Sequence, residues 1–473
     1  MARTKSTLRD LAELILKNVE VVEADLAKRN ASGPDINETF VPGADINFGN
    51  PEVSEAIYLT TCAAQQLLQT IRPPQACLIQ EVSRHVVPPS LRCATELHVA
   101  EILSEAGPEG LHVKSIASKC GVDPLKLAPV LRCLTTRWIF KEVRPDVFAN
   151  NRLSSVLHKG QTSEALQQNP EKKYDLPKAG ICTTIGNVTD MGCKSSAYLY
   201  ETLSDPDFAF SNEPNRASFN KGFNTNKTLW EFYEDPAQSA RLHRFNTGMQ
   251  ALQRMQPVEQ LRDSFDWVGL RDDALVVDVG GGIGSVPLAL VKLIPKLKFV
   301  VQDMPLVVED AQKRWKDEEL VKTGRISFQA HDFFEAQPIQ HPDVFFLQNI
   351  LHDWSDKFCL QILSRLREAA GPETRLFVRD RVIPYTCLTS DEDNGEKIPG
   401  VLKPTLPKPL TAVGGGDPFA FTLGLGLMVL ANGGERTLNH TIELYRDAGW
   451  KVETVHQFDA LGRAISGITA VPI

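Results

Sequence analysis

Short glycine-rich or polar motifs in the second half of the chain follow apolar runs and could carry out chemistry. The sequence Gly-Gly-Gly-Ile-Gly at residues 280–284 can form a tight strand-to-helix turn and lets the backbone approach a ligand closely. Its spacing differs from the Gly-x-Gly-x-x-Gly of dinucleotide-binding proteins. A turn that only packs a helix on a strand is the alternative. Asp303, at the end of the next apolar run, could accept hydrogen bonds from both hydroxyls of a ribose.

Two further motifs offer an adenine site and a base. Asp332 could accept a hydrogen bond from an adenine amino group while the ring of Phe333 stacks on the base, although such a pair also occurs as a helix cap beside a core aromatic. His352 has an ordinary pKa of about 6.5 and could accept the proton of a phenol, whose pKa is about 10. The alternative is that His352 only helps to start the next helix.

Five apolar runs alternate with helical patterns and would place these motifs at strand ends. Near-continuous apolar strands separated by helices are typical of an α/β, doubly wound, Rossmann-like parallel sheet covered on both faces. In such a sheet, ligands bind outside the carboxyl ends of the strands, so the motifs should lie together. The runs are Leu275–Val279, Phe299–Asp303, Ile326–Ala330, Val344–Leu347 and Leu376–Arg379.

The first half of the chain is mainly helical in pattern. Apolar residues recur at helical spacing over 7–29, and residues 110–148 alternate short helices with a small hairpin, which indicates a winged helix. Basic and acidic residues are nearly balanced over 91–150, which favours protein–protein contact over DNA binding.

The composition and net charge argue against several classes of function. In the 473 residues, 42% are hydrophobic and 23% charged, as in globular proteins, and the net charge of −8 argues against a nucleic-acid partner. No run is long enough for a membrane span, and the N-terminus has no signal-peptide core. Nine scattered cysteines without a Cys-x-x-Cys pair indicate free thiols. We therefore expect a cytoplasmic protein without nucleic-acid or membrane partners.

In chain order, five segments resemble the plant-type and fungal S-adenosylmethionine-dependent small-molecule O-methyltransferases. These segments are Val277–Gly284, Gln302–Pro305, His331–Phe334, Ile350–Asp356 and Gly433–Thr437. The resemblance implies a class I methyltransferase fold at the C-terminus, a mainly α-helical winged-helix dimerisation domain at the N-terminus, and a homodimer. It also implies S-adenosylmethionine as cofactor without a metal.

The resemblance also implies domain boundaries and roles for individual residues. We expect a dimerisation domain over 1–165, linker and pocket helices over 166–256, and a catalytic domain over 257–473 with an insertion at 385–416. His352 would be the base, oriented by two carboxylates, and the other positions would contact cofactor or acceptor. The carboxylates are Asp380 and Glu435, the cofactor positions Gly280, Gly282, Asp303, Asp332, Phe333 and Gln348, and the acceptor positions Phe245 and Met249. Gln348 stands where the family usually has Lys or Arg.

The function expected is methylation of a phenolic hydroxyl on an aromatic secondary metabolite of the polyketide, anthraquinone or flavonoid type. A nicotinamide-dependent oxidoreductase would share Gly280 and Asp303, but the glycine spacing and the region of His352 fit it badly. Two alternatives stay open: N-methylation of an aromatic amine, and a non-catalytic regulator with a methyltransferase fold.

Overall fold

The structure, a computed structural model, describes residues 7–43, 46–254, 258–388 and 398–473. The chain forms two compact units. The first comprises Met1–Lys194, Trp230–Met255 and Lys408–Leu410, and the second comprises Ser195–Leu229, Gln256–Pro407 and Thr411–Ile473. The segment 166–256 therefore contributes to both units. Of the insertion expected at 385–416, residues 389–397 lie outside the described residues.

The first unit begins with two helices, Thr7–Lys28 and Pro51–Ile71, which pack against each other. The predicted helix over 7–29 is thus confirmed to within one residue. Leu11 is fully buried on its apolar face. The Asn50 side chain accepts the Glu52 N–H and caps the second helix, which satisfies a donor that would otherwise lack a partner.

A winged helix follows in the first unit, as the sequence predicts. Its strands are β1 (Leu111–His112), β2 (Lys141–Arg144) and β3 (Val147–Ala149), in the order β1-β3-β2. Helices Val113–Cys120 and Pro124–Thr135 pack beside them, and the second is capped by Asp123. Their shared core includes the fully buried residues Ile116, Leu131, Leu134 and Phe148.

The remaining α-helices are short or medium in length. Up to residue 254 they are Pro74–Ser83, Val87–Glu96, Val99–Ala106, Arg152–Ser155, Ser163–Gln168, Gly180–Asn187, Cys193–Ser196, Leu199–Leu203, Pro206–Ala209, Ser218–Phe223, Leu229–Glu234 and Ser239–Arg254. After residue 257 they are Val258–Asp263, Ser285–Leu293, Pro305–Trp315, Glu319–Lys322, Asp356–Ala369, Phe419–Ala431 and Leu438–Asp447. Among the helices described, none is long and apolar enough to cross a membrane.

The second unit is built on a seven-stranded sheet in the order β6-β5-β4-β7-β8-β10-β9. Its strands are β4 (Leu275–Val279), β5 (Lys298–Asp303), β6 (Ile326–Ala330), β7 (Val344–Gln348), β8 (Arg375–Asp380), β9 (Trp450–His456) and β10 (Ser466–Pro472). Strands β4 to β8 are parallel, which confirms the predicted sheet. Strands β9 and β10, which were not predicted from the sequence, extend the sheet with antiparallel pairing.

The two faces of the sheet bury different sets of side chains. Phe346 and Phe377 stack at 5.5 Å between ring centroids and share a core cluster with Leu290 of helix Ser285–Leu293. Successive strand residues point to opposite faces. Arg379, two positions after Phe377, therefore shares this face, whereas Asp380 lies on the opposite one.

Candidate active site

The glycine turn after β4 is held against the end of β5. Gly280 has φ +71°, and a Cβ there would lie 2.6 Å from Ile350 Cδ1, so other residues would be strained and would clash. The Gly282 N–H donates to Asp303 Oδ2 at 2.8 Å, and the Met304 N–H donates to Asp303 Oδ1 at 2.8 Å. Burial raises the pKa of Asp303, although both N–H donors act in the opposite direction.

The aromatic residue after β6 lies at the same turn. Phe333 Cε1 is 3.7 Å from the position that a Cβ on Gly280 would take, so the structure brings Gly280 and Phe333 together. The Phe333 ring also packs against Trp354, with 5.9 Å between centroids. Asp332 is exposed, and its Oδ1 accepts the Phe334 N–H at 3.0 Å within a turn. No helix is described between β6 and β7, so Asp332 does not have the helix-capping role named above as the alternative to an adenine contact.

Gln348 ends β7 and contacts the neighbouring strand. Its Oε1 accepts a hydrogen bond of 2.6 Å from Nη1 of Arg379, the residue paired with it in the β7–β8 register. Arg379 is only 2% exposed. Arg379 had no role predicted from the sequence, because its neighbour is known only once the strand order is known.

His352 lies in a single 3₁₀ turn, Leu351–Asp353, that is held by the glycine motif after helix Phe419–Ala431. The Gly434 N–H donates to the His352 carbonyl at 2.7 Å. A Cβ on Gly433 would lie 2.2 Å from the same carbonyl oxygen, so only glycine fits at that position. These backbone contacts place the imidazole beside Glu435.

Glu435 is the carboxylate bonded to the imidazole. The distance from His352 Nδ1 to Glu435 Oε1 is 3.1 Å, and the distance from His352 Nε2 to Asp353 Oδ1 is 3.7 Å. The Glu435 side chain is 1% exposed and that of His352 is 14% exposed. An ionised carboxylate only accepts hydrogen bonds, so in the pair with Glu435 the proton lies on Nδ1 of His352. In the neutral ring, Nε2 is then the nitrogen that can accept a proton.

Asp380 completes a small cavity on the face of the sheet opposite Arg379. The cavity is lined by apolar residues and Gly434 and by the polar or charged side chains of His352, Asp380, Arg381, Glu435, Arg436, Thr441 and Tyr445. Among the described residues, no hydrogen-bond partner is present for Asp380 Oδ1 or for Glu435 Oε2. The three residues predicted to form the proton-accepting group are therefore adjacent.

The buried charges alter one another's ionisation. Burial by itself would lower the pKa of His352, but Asp353, Glu435 and Asp380 outweigh it and raise the pKa to about 9. Burial raises the pKa of Asp380 to about 7 and that of Asp353 to about 6, despite the attraction of His352. The ordinary histidine pKa assumed from the sequence is thus corrected upward by the surrounding carboxylates.

Arg436 supports the turn that carries His352, a role the sequence analysis did not assign. Its Nη1 donates to the Leu351 carbonyl at 2.9 Å and its Nη2 to the Trp354 carbonyl at 2.6 Å. Its Nε donates to Asp356 Oδ1 at 2.8 Å. Arg436 directly follows Glu435 in the Gly433–Thr437 motif, and this position could have indicated from the sequence that Arg436 contributes to the site.

The two residues expected to contact the acceptor lie on helix Ser239–Arg254 in the first unit. Phe245 stacks on Tyr233 with 5.1 Å between centroids and packs edge-on against Trp230 at 5.9 Å. Met249 is 42% exposed. Their contact with an acceptor stays a prediction.

The fold and the strand-end motifs define a class I methyltransferase joined to a helical dimerisation domain. Two family models match the chain. One describes an O-methyltransferase domain and matches residues 200–397, and the other describes an O-methyltransferase dimerisation domain and matches residues 79–160.

Similar proteins extend over nearly the whole chain. An O-methyltransferase of Armillaria gallica is 38% identical over 99% of this chain and 100% of that protein. A 4-O-methyltransferase of Phanerochaete chrysosporium is 35% identical over 99% of each chain. The solved structure of LepI in complex with S-adenosylmethionine has a TM-score of 0.64 at 17% identity, covering 98% of this chain and 99% of that one, which shows the shared fold. The chain belongs to the O-methyltransferase family and is a methyltransferase enzyme.

Proposed function

We propose that this enzyme methylates a phenolic hydroxyl of an aromatic secondary metabolite and that His352 is the general base. The observation that carries the proposal is the 3.1 Å contact from His352 Nδ1 to the buried Glu435. This contact fixes the ring and leaves Nε2 as the proton acceptor. The positive charge that forms on the ring is stabilised by Glu435 and Asp380.

The residues at the glycine turn fit S-adenosylmethionine. Glycine at 280 leaves open the space that a side chain would fill, Asp303 would bind the ribose, and Phe333 would pack on the adenine. When bound, the cofactor supplies an electrophilic methyl group. The protein has to hold the acceptor oxygen in line with that group at about 3 Å and take up its proton.

The raised pKa of His352 suits a phenol. A base with a pKa of about 9 is close to the phenol pKa of about 10, so proton transfer costs little. The same shift keeps the imidazole mostly protonated at neutral pH in the free enzyme. A sulfonium cation nearby would lower the pKa of His352 by charge repulsion, so donor binding would itself produce the neutral base.

The helix beside Glu435 supports an apolar, planar acceptor. Helix Phe419–Ala431 contains no charged residue, yet Phe419 and Leu425 are 52% and 48% exposed. A Cβ on Gly424 would lie 3.2 Å from Glu435 Cβ, whereas a Cβ on Gly426 would meet no atom within 4 Å. An apolar surface with open space next to the base fits an aromatic ring.

The test is methyl transfer from labelled S-adenosylmethionine to a panel of phenols, anthraquinones, flavonoids and aromatic amines. We expect product only from acceptors with a free phenolic hydroxyl, and no product from the same compounds after O-methylation. Methyl groups on nitrogen would favour an aromatic amine as the natural acceptor instead. Donor binding without transfer to any member of the panel would contradict the proposed acceptor class.

A further inference from the structure

Arg379 is a buried cation with an unused edge. Its Nη1 donates to Gln348, but Nε and Nη2 are buried and have no hydrogen-bond partner within the described parts of the chain. Burial lowers the pKa of Arg379 to about 10, so the group stays charged at neutral pH. A buried charge without a counter-ion is costly, which indicates a ligand of opposite charge.

The shape of the unused edge identifies the kind of ligand. Nε and Nη2 form the side of the guanidinium that donates two parallel hydrogen bonds. The chain uses this side elsewhere: in Arg271, Nε and Nη2 lie 2.7 and 2.6 Å from the two oxygens of Asp343. The matching ligand for Arg379 is therefore an oxyanion with two parallel acceptor oxygens, such as the carboxylate that Arg271 binds.

The strand positions identify which carboxylate can reach this edge. Gln348 pairs with Arg379, and β7 lies between β8 and β4, the strand that leads into Gly280. The carboxyl ends of β4, β7 and β8 are therefore neighbours, with the glycine turn at the end of β4 and Arg379 near the end of β8. The Arg379 guanidinium is directed towards β7, where it contacts Gln348. Asp380 points to the other face, where it lines the cavity beside His352. Arg379 and Asp380 therefore face opposite sides of the sheet at the same end of β8.

We propose that Arg379, oriented by Gln348, binds the α-carboxylate of S-adenosylmethionine. The inference rests on the use of this donor, whose amino-acid part ends in a carboxylate. Arg379 would set donor affinity and hold the amino-acid part in place without taking part in proton transfer. Gln348 keeps Nη1 occupied, so that the Nε and Nη2 edge is presented in one orientation.

The experiment compares the binding of S-adenosylhomocysteine with that of its decarboxylated analogue by calorimetry. The wild type should bind the analogue roughly 30- to 100-fold more weakly, as expected for a buried, charge-assisted pair. Arg379→Met should weaken S-adenosylhomocysteine binding by about the same factor and leave the analogue nearly unchanged. Arg379→Lys, which keeps the charge but loses the second parallel bond, should fall between them and is the variant to use if Arg379→Met does not fold.

Two controls separate this role from a general effect. Asp303→Ala should weaken both ligands equally, because both contain the ribose. Arg367→Met removes a half-buried arginine that donates to the Gly449 and Ile473 carbonyls and should change neither affinity.

Equal losses for both ligands in the Arg379 variants, or no discrimination by the wild type, would overturn the role of Arg379. Failure of the wild type to bind either ligand would overturn the donor itself.

Discussion

The two ring nitrogens of His352 have different surroundings, and this difference sets what the residue can do. Nδ1 is held by Glu435, and Nε2 is the site for a proton from the acceptor. If the imidazole is the base, His352→Ala should lower turnover roughly 10²- to 10⁴-fold, the usual contribution of general-base catalysis. Donor affinity should change little.

Chemical rescue distinguishes a base from a structural residue at this position. Raising the pH should partly restore turnover in His352→Ala, because the phenolate then forms in solution. A more acidic phenol should be rescued at lower pH. Steady-state rates across pH with two phenols would measure this. Near-normal turnover of the variant on every phenol would show that His352 only shapes the turn.

The pH dependence of the wild type should reflect the carboxylates around His352. Only the neutral imidazole accepts a proton, so kcat/KM should rise with pH through an acid limb set by His352. That limb should lie at or below about 9, the pKa to which these carboxylates raise the group before the donor binds. Glu435→Gln removes one negative charge and should move the acid limb to lower pH while reducing the plateau. Glu453→Gln, an exposed carboxylate on β9, is the control and should leave the limb in place. An unmoved limb in Glu435→Gln would show that another group titrates.

At this scale the sequence identified residues whose function follows from their type and motif. His352 and Glu435 were predicted from motifs 83 residues apart, and the structure places them in contact. Arg379 and Arg436 were not assigned, because their partners depend on which strand or turn lies beside them. The raised pKa of His352 depends on the adjacent Asp353 and also on Glu435 and Asp380, which come from separate segments. The size of this combined effect follows from their proximity in the fold, which no local pattern reveals.

At the scale of elements, the glycine motif after helix Phe419–Ala431 sets the position of the catalytic turn. Gly433→Ala would place a Cβ 2.2 Å from the His352 carbonyl oxygen, so the turn has to move at a cost of about 1–3 kcal/mol. Turnover should fall while donor affinity is retained. Gly434→Ala is the matched control, since its Cβ would make an ordinary contact of 3.7 Å. Equal effects of the two variants on kcat would contradict this explanation.

The parallel strands were predictable because burial on both faces produces continuous apolar runs, as in Val344–Leu347 of β7. Strands β9 and β10 were not predictable, because neither has a continuous apolar run. In β9, lysine, glutamate and threonine side chains are exposed between buried ones, and β10 begins with Ser466 and Gly467. The pairing of β10 with β8 and of β9 with β10 is a tertiary effect that a local pattern does not show.

At the scale of the whole molecule, the dimerisation-domain match over residues 79–160 supports a homodimer. Helix Pro74–Ser83 exposes an apolar surface, with Leu78, Ile79 and Val82 at 68%, 67% and 74% exposure. We expect light scattering at micromolar concentration to give twice the 52.4 kDa of one chain. Ile79→Glu should shift the equilibrium to monomers, because a charge is costly in an apolar interface.

The control for this experiment is Leu125→Glu, which alters a more exposed apolar residue on the winged helix, at 82% exposure. If both variants remain dimeric, helix Pro74–Ser83 is not part of the interface. A wild-type mass of one chain would contradict the homodimer itself.

Strand β8 carries Arg379 and Asp380 at adjacent positions that face opposite sides of the sheet. Inserting or deleting one residue within 375–380 would exchange the two side chains between the sides and reverse both local charges. Changes in the length of this strand are therefore poorly tolerated. Substitutions in helix Phe419–Ala431, where Gly426 borders open space, can alter acceptor preference more easily. Libraries built for altered acceptor specificity should diversify that helix and keep the length of β8 constant.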